Sequence, residues 1–342
     1  MTSKPIVIRC IADDTKGFGN LKRCLILAGV LKKNHKILFI VDNQRSAIKE
    51  LKKKKLQFII KPQTLPLSSE GSFITKIMRS INSEIVIVDM REFSENITKQ
   101  LKDYPIKSIL LDDAWCKNAY ADVIFNGTLV LRYHNYQKKN KNCKIFVGTK
   151  YFIINQEFLK KRKKTTDITD KTKYEIVVSM GGSDPDDLTF FVTKSLLHLK
   201  NVKLKIILGP LYSKHAKLAT IIKNKRNVQI ISSPSKIWEK FAKADLAISN
   251  AGNTLFELAV LKIPTICIAA VEHQIPYAKE FARKGFAVNL GFWKNVNKQN
   301  LKEMVITLLN DKNLRKKLSI SASQIIDGRG LSRVIQVIDK VN

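Results

Sequence analysis

The residues whose types and spacing could do chemistry are concentrated in Asn250-Ala251-Gly252-Asn253-Thr254, with Glu257 three positions on. An apolar run, Leu246 to Ser249, enters this turn, and a helical pattern leaves it toward Ala259; Pro264 and a second apolar run, 265–270, follow. A strand, a turn of small residues and a helix N-terminus together make an anion cradle. The first N–H groups of a helix lack intrahelical acceptors, and they carry the positive end of its dipole. Glu257 would repel a phosphate but suits hydroxyls beside one, such as those of a ribose. The local chemistry reads as a nucleoside diphosphate joined to a sugar.

Two further turns have the same strand–turn–helix setting. Asp13-Asp14-Thr15-Lys16-Gly17-Phe18-Gly19-Asn20 carries a G-x-G, so the backbone at Gly17 and Gly19 can approach a ligand closely. It lacks the third glycine of the dinucleotide fingerprint and the Gly-Lys-Ser/Thr of a nucleoside triphosphatase. In Met180-Gly181-Gly182-Ser183-Asp184-Pro185, the residues Gly181, Gly182 and Ser183 can wrap a phosphate, while Asp184 and Pro185 suit a helix start. Carboxylates that could take a proton are Asp13 and Asp14, in the loop of Asn20, and Asp89 at the end of an apolar run. Each also fits a plainer role: turn and cap duty for Asp13 and Asp14, strand-end hydrogen bonding for Asp89 and for Asp112-Asp113. Arg91 either neutralises an anionic substrate group or pairs with Glu92 or Glu95. Asn20 either holds a sugar or acceptor hydroxyl or caps the helix that begins there. His273, in Val271-Glu272-His273-Gln274, faces a ligand or solvent; His35, His134, His198 and His215 read as surface residues.

The elements that must position these turns follow from periodicity. Ile6–Ile11 is a first strand and Asn20–Lys33 a helix with Leu21, Cys24, Leu25, Leu27, Ala28 and Leu31 on its buried side. Short continuous apolar runs recur at 36–42, 56–60, 84–89, 108–112 and 123–126, and again at 174–180, 204–208, 228–231, 246–249 and 265–270. Such runs alternating with helices indicate parallel sheets covered on both faces. The expected fold is α/β, with two Rossmann-like doubly wound domains facing an interdomain cleft, since ligands of such sheets bind at the carboxyl ends of the strands. The expected boundaries are an N-terminal sugar and acceptor domain, 1–158, a basic polar connection, 159–173, and a C-terminal nucleotide-binding domain, 174–342, whose last helix packs back on the first domain.

Composition narrows the class. The chain has 342 residues, enough for two domains, and 44% are hydrophobic, which excludes a disordered polymer. No run of about 18 apolar residues spans a bilayer, and the start is no signal peptide. Five scattered cysteines (Cys10, Cys24, Cys116, Cys143, Cys267) read as buried free thiols of a cytoplasmic protein, with no metal site. The net charge is +32, yet only 12 of the 61 basic residues are Arg, the side chain that reads phosphates and bases bidentately. Specific nucleic-acid binding is therefore not expected. A solvated lysine surface is the plain reading, with attraction to anionic substrates or at most peripheral contact with an anionic membrane as the alternative.

These segments resemble a known family. Gly17 to Arg23 as G-x-G-x-x-x-R, Asp112-Asp113, Tyr151-Phe152 to Phe158, Gly181 to Pro185, Ala251 to Thr254 with Glu257, and Asp327-Gly328-Arg329-Gly330 with Arg333 stand in the order found in the UDP-sugar hydrolases of pseudaminic acid biosynthesis and their spore-coat polysaccharide relatives. The resemblance spans roughly residues 6–335 and implies the two-domain GT-B fold of glycosyltransferases. It implies a UDP-linked sugar bound without cofactor or metal, with Glu257 on the ribose, Asn250, Gly252, Asn253 and Thr254 around the diphosphate, Gly181, Gly182 and Ser183 completing that site, and Gln274 on the donor sugar. Gly17, Gly19, Arg23 and the acceptor-side groups would belong to the first domain. The reaction implied is inverting cleavage of the anomeric C–O bond of a UDP-linked diacetamido sugar by water. The chain departs from the family at the acceptor side. Asn20 stands where the hydrolases have a histidine, Arg91 where they tend to have a tyrosine, and Ala119 at a further histidine position. A carboxamide cannot take a proton from water, and a lost general base typically costs about 10²–10⁴ in rate. The alternatives are transfer to a hydroxyl of a polysaccharide or lipid-linked acceptor, or UDP-sugar binding without catalysis.

Overall fold

The computed structural model describes residues 4–12 and 19–341. The chain divides into two compact units, residues 1–155 with 328–342, and residues 156–327.

In the first unit, β1 (Ile6–Cys10), β2 (Ile37–Val41), β3 (Gln57–Ile60), β4 (Ile85–Asp89), β5 (Lys107–Asp112), β7 (Val123–Asn126) and β9 (Lys144–Val147) form one parallel sheet in the order β3-β2-β1-β4-β5-β7-β9. Two short strands, β6 (Asn118–Ala119) and β8 (Gln137–Lys138), pair separately. The helices are α1 (Gly19–Leu31), α2 (Arg45–Lys53), α3 (Glu70–Ser80) and α4 (Ser94–Leu101). Side chains alternate across a strand, so β1 sends Ile6, Ile8 and Cys10 to one face, against Leu21, Cys24 and Leu27 of α1. Val7 and Ile11 go to the other face, against Ile74 and Met78 of α3 and Ile97 of α4. Arg9 also points to that second face. It is buried and pairs with Glu70 and Asp42, an ion cluster hidden from sequence reading inside an apolar run.

The second unit repeats the plan. The helix α5 (Gln156–Lys160) leads into β10 (Tyr174–Ser179), β11 (Val202–Leu208), β12 (Val228–Ser232), β13 (Leu246–Asn250), β14 (Thr265–Ala269) and β15 (Ala287–Phe292), in the parallel order β12-β11-β10-β13-β14-β15. Around it lie α6 (Leu188–Leu196), α7 (His215–Ile222), α8 (Ile237–Phe241), α9 (Asn253–Leu261), α10 (Ile275–Arg283), α11 (Lys298–Asn310) and α12 (Lys312–Ile325). The edge strands β9 and β15 were not foreseen in the sequence: β9 offers only three apolar residues, Ile145 to Val147, the run of β15 is interrupted by Asn289 and Gly291, and most residues of both are half-buried. Each sheet reverses its strand order once, between β1 and β4 and between β10 and β13. Loops leaving the carboxyl ends of those strands diverge to opposite faces and leave a crevice where ligands of such sheets bind.

Residues 159–173, expected as a polar connection, are tied to the second unit. Arg162 donates to the carbonyls of Val260 and Ile326 at 2.9 Å each, and Arg315 donates to Thr169 O at 3.1 Å and Asp170 Oδ1 at 3.0 Å. Val260 lies in the last turn of α9, where carbonyls lack intrahelical partners, and cationic side chains satisfy them. The expected surface residue His35 is buried, with Nδ1 3.0 Å from Lys4 O and Nε2 3.8 Å from Asp339. Among the described residues no helix is long and apolar enough to cross a membrane.

The last helix, α13 (Gly330–Ile338), belongs to the first unit, where Leu331, Val334 and Ile338 join the α1 core. Two motif segments meet there: Arg333 donates to Lys150 O at 2.9 Å, and the Phe152 backbone lies between Gly127 and Gly330. A Cβ on Gly330 would stand 2.1 Å from Phe152 O, and one on Gly127 would stand 2.6 Å from Phe152 Cα. Gly330→Ala is therefore expected to lower stability by about 1–3 kcal/mol through forced backbone movement, read as a lower urea midpoint at unchanged m.

Candidate functional site

In the first unit the switch point brings the start of α1 against the end of β4. Asn20, 6% exposed, donates from Nδ2 to Asp89 Oδ1 at 2.6 Å, and its Oδ1 accepts from Arg91 Nε at 2.9 Å. A carboxylate only accepts and a guanidinium only donates, so these neighbours allow one orientation of the carboxamide. Arg23, one turn on, grips Asp89 through Nε and Nη2 at 2.6 Å each and reaches Asp113 Oδ1 through Nη1 at 2.6 Å. Cys24 Sγ adds a fourth donor to Asp89 at 3.4 Å. A carboxylate offers about four lone-pair positions, and Asp89, with no exposure, has a donor at each. As placed, Asp89 holds the site together and leaves no lone pair open to a further donor. Burial pulls the Arg23 pKa down, but Asp113 and Asp89 raise it well above its usual value, so the guanidinium stays charged.

Arg91 has φ +52°, the left-handed region that costs a non-glycine residue about 1 kcal/mol or more. The bend turns the chain out of β4 into a single 3-10 turn, Arg91–Phe93, and lets the guanidinium double back on Asn20. Asp112, at the end of neighbouring β5, accepts from Tyr136 Oη at 2.7 Å and from the Trp115 N–H at 3.2 Å. Burial pushes its pKa up to about 6, against the hydrogen bond from Tyr136 and with the help of Asp113. Asp112 thus fastens the loop that presents Asp113 to Arg23. Sequence reading gave Asp112-Asp113 a strand-end role but missed Tyr136 and Asn126; Asn126 Nδ2 donates to Tyr136 Oη at 2.7 Å, to Asp113 O at 3.0 Å and to Tyr133 O at 2.9 Å. Asp13, Asp14 and Gly17 lie outside the described residues, and Gly19 is the first residue of α1.

In the second unit the loops after β10 and β13 converge. Gly181, at φ +94°, lies so close to Asn250 that a Cβ would stand 2.8 Å from Asn250 Nδ2. Gly182 and Ser183 follow, and the helix begins later than the sequence suggested, at Leu188 rather than at Asp184-Pro185. The buried Asp184 carboxylate accepts from the N–H groups of Leu188 at 2.9 Å and Thr189 at 2.8 Å. The first turn of α6 is therefore closed by the protein's own anion. Sequence reading missed Gly209: a Cβ there would stand 2.3 Å from the carbonyl oxygens of Gly181 and Gly182. Its signal was the Gly209-Pro210 pair after an apolar run.

The start of α9 differs. Its N-cap residue is Gly252, which has no side chain with which to cap the helix. Gln274 is held by its Oε1, which accepts from Ala270 N at 3.0 Å, while Nε2 lies 3.6 Å from where a Gly252 Cβ would be. Asn250, Gly252 and Gln274 thus surround a helix N-terminus whose bare backbone admits a close anion. Asn253 is exposed and Thr254 half-buried beside it, Glu257 is buried one turn further along α9, and His273 is exposed in the 3-10 turn Glu272–Gln274. Among the described residues no group of three or more His, Cys, Asp or Glu side chains is arranged to hold a metal ion.

Residues 142–327, more than half of the chain, match the family model of the glycosyltransferase family 28 C-terminal domain. The chain is 26% identical over 329 residues to the spore coat polysaccharide biosynthesis protein SpsG of Bacillus subtilis, covering 94% of both chains. It is 30% identical over 162 residues to a Helicobacter pylori protein named pseudaminic acid cytidylyltransferase and UDP-2,4-diacetamido-2,4,6-trideoxy-beta-L-altropyranose hydrolase, a match covering 47% of this chain and 28% of that one. In fold it is similar to MurG of Acinetobacter baumannii, with a TM-score of 0.73, 15% identity, and 98% and 99% of the two chains covered. Two parallel sheets, each flanked by helices, are the two Rossmann-like domains of the GT-B fold.

Arg23→Met leaves buried Asp89 without its cation and is expected to cost about 3–5 kcal/mol in urea denaturation. Asp112 contributes a pH dependence of the opposite sense to most carboxylates. Its folded pKa lies above the ordinary value, so its stabilisation is full below pH about 4 and is lost as pH rises through about 6. Comparison of wild type with Asp112→Asn should reveal a difference of about 2–3 kcal/mol developing over that window.

Proposed function

The chain belongs to the family that carries the glycosyltransferase family 28 C-terminal domain, and from that membership we propose that it binds a UDP-sugar through its second unit and transfers the sugar to a hydroxyl acceptor. The observation that carries the donor reading is the contrast between two helix starts. The first turn of α6 is filled by Asp184, whereas α9 opens at a glycine N-cap, Gly252, beside Asn250, Gly181 and Gln274. The diphosphate belongs at α9, where the N–H groups and helix dipole stabilise the charge that grows on the leaving group. Glu257 serves the ribose hydroxyls. The acceptor oxygen attacks the anomeric carbon, the bond from that carbon to the diphosphate oxygen breaks with inversion, and UDP leaves with the electron pair.

Transfer is favoured over hydrolysis by membership of a glycosyltransferase family; Asn20, which stands where the hydrolases have a histidine, does not supply the base for either reaction. Its carboxamide is engaged at both ends, and Asp89 beside it has a donor at every lone pair, so neither group is poised to deprotonate water. The acceptor proton goes to Asp13 or Asp14, the remaining carboxylates of that loop. The polysaccharide named in the Bacillus subtilis relative supports a glycan or lipid-linked hydroxyl as acceptor. Hydrolysis remains the second reading because the Helicobacter pylori relative bears that activity in its name.

UDP release from UDP-diacetamido sugars and UDP-N-acetylglucosamine, with and without hydroxyl acceptors, tests the proposal. Release that requires an acceptor, and that Asp13→Asn or Asp14→Asn abolishes without loss of UDP affinity, is the expected result. Steady release without acceptor would establish hydrolysis. Gly181→Val, which drives a side chain onto Asn250, should weaken UDP binding at least about tenfold; undetectable UDP binding by wild type would overturn the donor reading.

A further inference from the structure

Asp187 is the N-cap residue of α6, yet its side chain makes no cap and its backbone sits in the left-handed region, at φ +58°. An N-cap residue normally takes extended backbone and turns its side-chain oxygen onto the first N–H groups of the helix. Here Asp184 does that work, itself at φ +47°, through the N–H groups of Leu188 and Thr189. Left-handed backbone is strained for residues other than glycine and persists only where the surroundings enforce it. The Asp187 carboxylate supplies the enforcement. It is buried and divided between two donors that follow β11. Tyr212 Oη donates to Oδ1 at 2.8 Å, and Lys217 Nζ, in the first turn of α7, donates to Oδ2 at 2.8 Å. Burial and Asp187 itself raise the Tyr212 pKa, so the phenol keeps its proton and donates. Lys214 Nζ adds a bond to Pro185 O at 2.7 Å. The segment from Gly181 to Asp187 is thereby clamped along one side to residues 209–217.

The clamp fixes what faces the other side. Gly182 O accepts from Leu211 N at 3.0 Å, and Gly181 O lies 2.3 Å from where a Cβ on Gly209 would stand. In a trans peptide the C=O and the N–H point in opposite directions. The N–H groups of Gly182 and Ser183 are therefore directed away from residues 209–211. Neither donates to a backbone carbonyl among the described residues. In the sheet β11 is one neighbour of β10, and the other is β13, which delivers Asn250 and the start of α9.

We propose that Asp187 is a positioning residue for the diphosphate: through Tyr212 and Lys217 it holds the backbone of Gly181, Gly182 and Ser183 so that the N–H groups of Gly182 and Ser183 face the anion site at the start of α9. The proposal rests on the UDP-sugar reading above and adds to it Asp187 and Tyr212, which act through the backbone of the loop. Donors fixed in advance bind an anion without first paying to order their loop. The effect therefore falls on the phosphates and spares the base.

The test is titration of the full chain, followed by NMR, with UDP and with uridine, which lacks the phosphates. Wild type should bind both, UDP the more tightly. Asp187→Gly accepts left-handed backbone but lacks the clamp. It should weaken UDP binding at least about tenfold and leave uridine within about twofold. Asp187→Asn keeps an acceptor for Tyr212 and tolerates left-handed backbone, and it should restore most of the UDP affinity. Tyr212→Phe removes a single hydroxyl and should cost UDP about threefold or more with uridine unchanged. UDP affinity equal in wild type, Asp187→Gly and Tyr212→Phe would overturn the inference and leave the donor reading intact. Parallel loss of UDP and uridine would also overturn it, since general loosening of the unit weakens both. Absence of UDP binding by wild type would overturn the donor reading, and the inference with it.

Discussion

A carboxylate with no contact with water has to be matched by charge and filled with donors, and Asp89 imposes that demand on the first unit. Its position at the end of β4, in register with Cys10 of β1, puts it at the point where the sheet reverses its strand order. Arg23 answers the charge with two hydrogen bonds and extends to Asp113, and Asn20 and Cys24 supply the remaining donors. Because α1 carries Asn20, Arg23 and Cys24, the pair also sets the rotation of that helix over the sheet. The same demand gives Asn20 its single orientation and leaves Arg91 to complete it.

The second unit solves the opposite problem, keeping a site of positive potential available. Both α6 and α9 begin beside the carboxyl ends of central strands, and sequence alone makes both anion sites. The buried Asp184 closes the first with two hydrogen bonds, while Gly252 and Gln274 leave the second to be approached by backbone. The glycines around it have separate reasons: Gly181 accommodates the Asn250 carboxamide and a left-handed φ, and Gly209 clears the carbonyls of Gly181 and Gly182. One helix start is thereby filled by a carboxylate of the chain itself, and the other opens at glycine.

The family relationship and the geometry divide the molecule in the same way. The matched family domain, residues 142–327, covers the whole of the second unit. At the head of α1 and the end of β4 the chain has its own arrangement. An Arg–Asn–Asp–Arg–Asp sequence of hydrogen bonds, from Arg91 to Asp113, balances two cations with two carboxylates. This charge-balanced cluster, with a donor at every lone pair of Asp89, holds the head of α1 to the end of β4.

The sequence by itself determined the alternation of buried strands and helices, and hence the parallel sheets, because short apolar runs without polar alternation tolerate only burial on both faces. It also marked the turns at Gly181, Gly252 and Asn20, because small residues between a strand and a helix serve few other purposes. It did not reveal β9 and β15, whose apolar runs are short or interrupted and mostly half-buried, or the buried Arg9 cluster, because a single charge in a strand discloses no partner. Only the tertiary structure decided that Asp89 is occupied and Asp184 spent on a helix cap. It alone tied 159–173 to the second unit and made the glycine at 330 the seat for Phe152. Each of these depends on which distant groups come within about 3 Å, the range over which hydrogen bonds act, and that proximity is a property of packing.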